Sequence, residues 1–188
     1  MSPAALAASF AVGLVIVIVG FIVVASYNAV MGLRQRTDKA WANIDVALKQ
    51  RHDQLPALVA AVRGVMAFEQ DTLTAVTRAR AAYSPDEPIR DKAIHAEATS
   101  AAVRSLFAVV EAYPAVKSQE NVLDLQNEIE RLEAMIADRR ELYNDQVYRY
   151  NTRISTLPTL PLAWLLGWTA REFFAASPEE ALRPPATL

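Results

Sequence analysis

AALAASFAVGLVIVIVGFIVVA, residues Ala4–Ala25, is the stretch on which the reading of this chain turns. Its 22 residues are interrupted only by Ser9 and lie within a first 33 residues that hold no charged side chain. At about 1.5 Å rise per residue a helix of that length spans about 33 Å, enough to cross a hydrocarbon core of about 30 Å. The run is too long for the apolar part of a cleavable signal, and Met1, Ser2 and Pro3 supply no basic residue ahead of it. Residues 1–27 therefore read as an uncleaved, single-pass anchor, with the lipid bilayer as partner. The first charges that follow are Arg34, Arg36, Asp38 and Lys39. Basic residues beside a span favour the cytoplasmic side, which puts the N-terminus outside and residues 26–188 in the cytoplasm.

Outward from the anchor, apolar residues recur at helical spacing. Trp41, Leu48, Leu55, Val62, Val76 and Tyr83 share one seven-residue phase, with Glu69 as its polar member; Ile44, Leu58 and Val65 form a second line, interrupted by Arg51. Pro56 allows two readings. Asp53 can cap a new helix with Pro56 in its first turn, or the helix can run through with a kink. The unbroken phase favours a kink; the start signal and the compactness of a four-helix bundle favour a break. Ser84, Pro85, Glu87 and Pro88 form a clear stop and restart. A third helix ends at Tyr113-Pro114. In the last, Val122, Ile129, Ile136, Tyr143, Tyr150 and Leu157 repeat every seven residues, with Leu125, Leu132, Val147 and Ile154 beside them. The expected fold is all-α: a transmembrane helix followed by an elongated antiparallel four-helix bundle over 28–157. Its helices are placed at about 28–52, 54–83, 87–113 and 118–157, and an aromatic-rich tail at 158–188 frays after Ser177.

The composition leaves little chemistry. The chain has no Cys, two His and a net charge of −2. That removes disulfides and thiolate chemistry, and leaves no basic footprint for nucleic acid. Neither His52 nor His95 follows a Glu at the spacing that bundle metal sites use, and no glycine-rich phosphate loop or nucleophile motif occurs. No cofactor, metal site or small-molecule substrate is expected, and no catalytic residue. Two features stand out as candidates. Polar residues on the seams, Glu69, Arg139 and Gln146, must be paired if buried, and Glu69 is expected to meet a basic residue of another helix. The tail crowds Leu160, Leu162, Trp164, Leu165, Leu166, Trp168, Phe173 and Phe174 into one segment. It can cap the bundle, lie at the membrane interface where Trp is favoured, or bind protein. A break at Asp53–Pro56 returns the tail to the membrane; a continuous first helix leaves it at the far end.

Several stretches carry a family resemblance. They are Tyr27-Asn28-Ala29-Val30, the run from Ala40-Trp41-Ala42-Asn43-Ile44-Asp45 to Lys49-Gln50-Arg51, and Asp53-Gln54-Leu55-Pro56-Ala57-Leu58-Val59. Val76 with Ala79-Arg80, Tyr113-Pro114, Glu120-Asn121, Leu125-Gln126, Arg139-Arg140 with Tyr143-Asn144, Tyr150-Asn151-Thr152-Arg153 and Arg171-Glu172-Phe173-Phe174 follow. Over about residues 1–175 the chain resembles the LemA family. The resemblance implies a bacterial-type plasma (inner) membrane protein with a short outside N-terminus and an inside helical bundle, and supplies no reaction. It makes Arg139, Arg140, Asn144, Asn151 and Arg153 candidate packing or interaction positions. The expected function is a membrane-anchored scaffold or adaptor that self-associates or holds a membrane-protein partner. The alternative is an accessory or regulatory module of a membrane protease or envelope sensor.

Overall fold

The computed structural model describes residues 3–63 and 69–175. Val65 of the second seam and the tail expected to fray after Ser177 lie outside these. The described residues are helical, with no strand. The elements are α1 (Pro3–Arg63), α2 (Gln70–Ala81), α3 (Ile89–Glu111), the single turn α4 (Pro114–Lys117), α5 (Glu120–Ser155) and α6 (Leu160–Leu166). They form two compact units. One holds the chain up to Asp38 together with Gln146–Arg171, and the other holds Lys39–Asp145 together with the chain from Glu172.

α1 does not stop at Asp53. It runs through Pro56 to Arg63. An interior proline costs about 3 kcal/mol by removing a hydrogen bond and crowding the preceding turn. Here Pro56 is exposed, so the carbonyl it leaves without a donor can be hydrated. On the opposite side Leu55, Leu58 and Val62 are almost wholly buried, at about 1.5–3 kcal/mol each. Ending the helix at Asp53 would forfeit the register of those three, so burial outweighs the proline. The helix expected over 54–83 is instead divided between α1, which ends at Arg63, and α2, which starts at Gln70.

The bundle unit still makes four passes of alternating direction. Leu73 and Val76 of α2 join Leu55–Val62 in one core, and Tyr83 beyond α2 stacks on His52 at 4.9 Å, so α2 returns along α1. α3 runs back the other way: Lys92 meets Asp45, Ser100 meets Arg51, and Leu106 and Val110 reach the core around Leu58. α5 returns once more, with Val122 and Ile129 in that core, Glu133 at Arg51 and Arg139 at Asn43. Every member of the α5 repeat from Val122 to Tyr150 is buried. Leu157 is not: α5 ends at Ser155, and Leu157 stands 76% exposed.

In the other unit the chain turns at Thr156 and Thr159 into α6, whose Ala163 packs with Val30, Tyr150 and Ile154. Gly167 ends α6 at φ 65°, a conformation that side-chain-bearing residues rarely adopt. The Trp168 N–H then closes on the Ala163 carbonyl at 2.9 Å, the six-residue ring of a Schellman stop.

Candidate functional site

Two sites emerge, one polar and one apolar. The polar one is a layer across the bundle unit. Arg51, 3% exposed on α1, donates to the Glu133 carboxylate at 2.6 Å, to Ser100 Oγ at 2.8 Å and to the Ala96 carbonyl at 3.2 Å. Ser100 donates to the other Glu133 oxygen at 2.6 Å. Nearer the start of α3, the buried Lys92 ammonium bonds Asp45 at 2.5 Å and lies 5.2 Å over the Trp41 ring. A buried cation is tolerated only when paired and hydrogen-bonded, and these two tie α1 to α3 and α5. The layer borders a groove of about 260 Å³ that Arg104, Glu133 and Arg140 help to line. Both Glu133 oxygens are already engaged, so the layer fixes which helix faces meet rather than offering a free acid or base.

The structure distributes the sequence candidates widely. Glu69 sits in front of α2 and accepts from the Tyr113 hydroxyl at 3.0 Å, a phenol rather than the basic residue expected. This hydrogen bond holds the tyrosine's pKa above its ordinary value. Arg139 donates to the Asn43 carbonyl at 2.7 Å. Arg153 is partly buried, and its Nε has no hydrogen-bond partner. Asn144 and Asn151 each clip backbone beyond the last helix. Asn144 accepts from Phe174 N–H at 2.9 Å and donates to its carbonyl at 3.2 Å; Asn151 does the same for Arg171 at 2.8 and 3.0 Å. Phe174 is thereby buried against Trp41, with ring centroids 5.8 Å apart, and Phe173 is partly buried. Trp168 packs tilted against Tyr27, with ring centroids 5.9 Å apart.

Trp164 alone of the four aromatic candidates is open, at 85% exposure, and it marks the apolar site. α6, sequence LPLAWLL, has no polar side chain. Its Leu162 and Leu165, with Pro158 and Pro161, form a groove of about 330 Å³ against Val19, Ile22, Val23 and Ser26 of α1. Leu157, Leu160 and Leu166 extend the open apolar surface. α1 itself is the one helix among the described residues long and apolar enough to cross a membrane.

Among the described residues no three His, Asp or Glu side chains gather as metal ligands. His52 stacks on Tyr83; desolvation and then the nearby Arg80 lower its pKa below the usual 6.5, and Asp53 opposes them. His95 Nδ1 lies 2.9 Å from Glu87.

Sequence reasoning passed over Ser100, Glu133, Lys92 and Asp45. The one available signal was Arg51, where a charge breaks an apolar seam.

Two magnetosome proteins of Paramagnetospirillum magneticum (strain ATCC 700264 / AMB-1), MamQ 1 and MamQ 2, are each 35% identical to the chain over 77 residues. The match covers 41% of this chain and 28% of theirs, so the chain spans less than a third of the length of these relatives. The family model for LemA matches residues 40–187, from just before Trp41 through the polar layer and both asparagine clips, and the chain belongs to the LemA family.

Proposed function

We propose that this protein is a membrane-anchored helical scaffold or adaptor, with its N-terminus outside, its bundle in the cytoplasm and no catalysis of its own. One observation carries the reading: α1 is a single helix from Pro3 to Arg63, so the apolar run and the core residues Ile44–Val62 share one continuous element with no linker. A bundle joined to its anchor in this way is suited to holding partners at a membrane. The orientation rests on Arg34, Arg36 and Lys39 following the run with no basic side chain before it. Partner contact is favoured by Leu123 and Leu142, large apolar side chains of α5 left exposed.

The test is photo-crosslinking in cells from probes at positions 123 and 142, read by mass spectrometry. Adducts with a second copy or with a recurrent membrane protein are expected. A strict monomer that yields no adduct from either position overturns the reading. The chain lacks cysteine, so Leu123→Cys also reports orientation: an impermeant maleimide should label it only after the cells are opened.

A further inference from the structure

We infer that α6 is a second membrane element, a wedge seated in the boundary layer of the bilayer beside the C-terminal end of the apolar run. The inference deepens the proposed function and rests on α1 being the spanning helix. A helix that is apolar all round belongs in a protein core or in lipid. α6 is apolar all round, yet only its Ala163 enters a core. Thr159 and Ala163 face inward, while Leu160, Trp164, Leu165 and Leu166 stand 47%, 85%, 72% and 46% exposed.

Its position commits that surface to the bilayer. The groove that α6 makes with α1 begins at Val19 and ends at Ser26, so it flanks the last third of the apolar run. From Val19 to Ala25 a helix rises about 9 Å. Any bilayer that covers Ala4–Ala25 therefore covers α6 to that depth, which matches the roughly 5–10 Å at which interfacial helices lie. Trp164, exposed on α6, is the residue type that concentrates at such boundaries.

Charge agrees. The unit containing α6 carries five arginines, Arg34, Arg36, Arg149, Arg153 and Arg171, against the single acid Asp38, a net +4. The rest of the chain carries −6. Basic charge beside an apolar wedge complements anionic headgroups. The occupant of the open face is thus the anionic leaflet itself, and the groove is filled by acyl chain.

The experiment uses the full chain in vesicles of phosphatidylcholine and phosphatidylglycerol, with no other protein present. An environment-sensitive nitrobenzoxadiazole label is placed, one variant at a time, through Leu165→Cys, Ile18→Cys or Leu142→Cys. At 165 the emission should shift to the blue, a shallow nitroxide lipid should quench it, and most of the iodide quenching seen at 142 should be lost. Position 18 should be reached only by nitroxide. Iodide quenching at 165 equal to that at 142, without nitroxide quenching, overturns the wedge and leaves its face to a protein partner. If position 18 is open to iodide as well, it is the spanning reading of α1 that fails.

Discussion

In the bundle unit an arginine is 3% exposed and Leu58, Leu106 and Leu132 are sealed; in the unit that holds α6 a tryptophan is 85% exposed while Thr159 is wholly buried. The first unit turns its apolar groups inward and must then neutralise the few charges caught among them. The second has a small core of Val30, Tyr150, Ile154 and Ala163 with Ser26, Thr37 and Thr159 buried as well, and turns most of its apolar groups outward along the apolar run of α1 and along α6. Such a contrast supports the proposal that the two units face different solvents. In water, exposed apolar area is a cost; in hydrocarbon, an unsatisfied polar group is. The net charges of +4 and −6 follow the same division.

The sharpest way to break this contrast is to treat both units alike. Glu133→Ala strands a buried guanidinium, and removing one partner of a buried pair costs about 3–5 kcal/mol. With Glu133 about a quarter exposed, the lower end, about 3 kcal/mol, is expected. Leu165→Ala removes a side chain that packs on little protein and should move stability by less than about 0.5 kcal/mol. Urea unfolding of the detergent-solubilised chain measures both. Equal costs would mean that α6 belongs to a core and that the two units do not differ in kind.

The asparagine clips sharpen the comparison, because the same chemistry appears once in each unit. Asn144 holds Phe174 and Asn151 holds Arg171, each through paired bonds to backbone. Substitution by Ala leaves one partly buried N–H and one C=O unpaired, a loss of about 1–3 kcal/mol. If the clips act locally, Asn144→Ala and Asn151→Ala each cost about 2 kcal/mol in the same unfolding assay. A loss at one position only would show that the other clip is redundant in its unit.

How much of this could be read from the chain varies with the kind of force involved. The α5 seam was legible because a seven-residue apolar period admits one buried face, and Val122, Ile129, Ile136, Tyr143 and Tyr150 obey it. The same reasoning could not end a helix. The phase that links Leu55 and Val62 to Val76 continues across the reversal, since α2 buries a stripe of its own, and Pro56 is tolerated because it faces water. Nor could the aromatics be sorted. Trp164 and Phe174 sit in one apolar segment, yet their fates depend on Gly167, which turns the chain, and on Asn144, which captures the strap from another helix. Arg51 was visible as a fault in a seam. Glu133 looked like any other surface glutamate of α5 until the fold brought Arg51 and Ser100 to it. Long-range pairs leave no local period, which is why the polar layer was the least legible part of the site.

The smallest expected effect concerns pH and belongs to the bundle unit alone. His52 is held below its usual pKa of 6.5, chiefly by desolvation and then by Arg80, against a weaker pull from Asp53. The unfolded chain takes up this proton near 6.5, and the folded chain only at lower pH. Between the two values the unfolded state binds more protons, so stability rises with pH across that window. Above it the ring is neutral in both states and the cost vanishes; below it the full cost has been incurred. Unfolding curves at pH 7.5 and at pH 5.5, values on either side of about 6.5, should therefore show a loss on acidification that His52→Gln reduces. His52 is only partly buried, which keeps this difference below those of Glu133→Ala and the clips. An acid loss unchanged by His52→Gln would move the pH response elsewhere. The contact between the ring and Tyr83 at 4.9 Å would then be packing alone, without consequence for protonation.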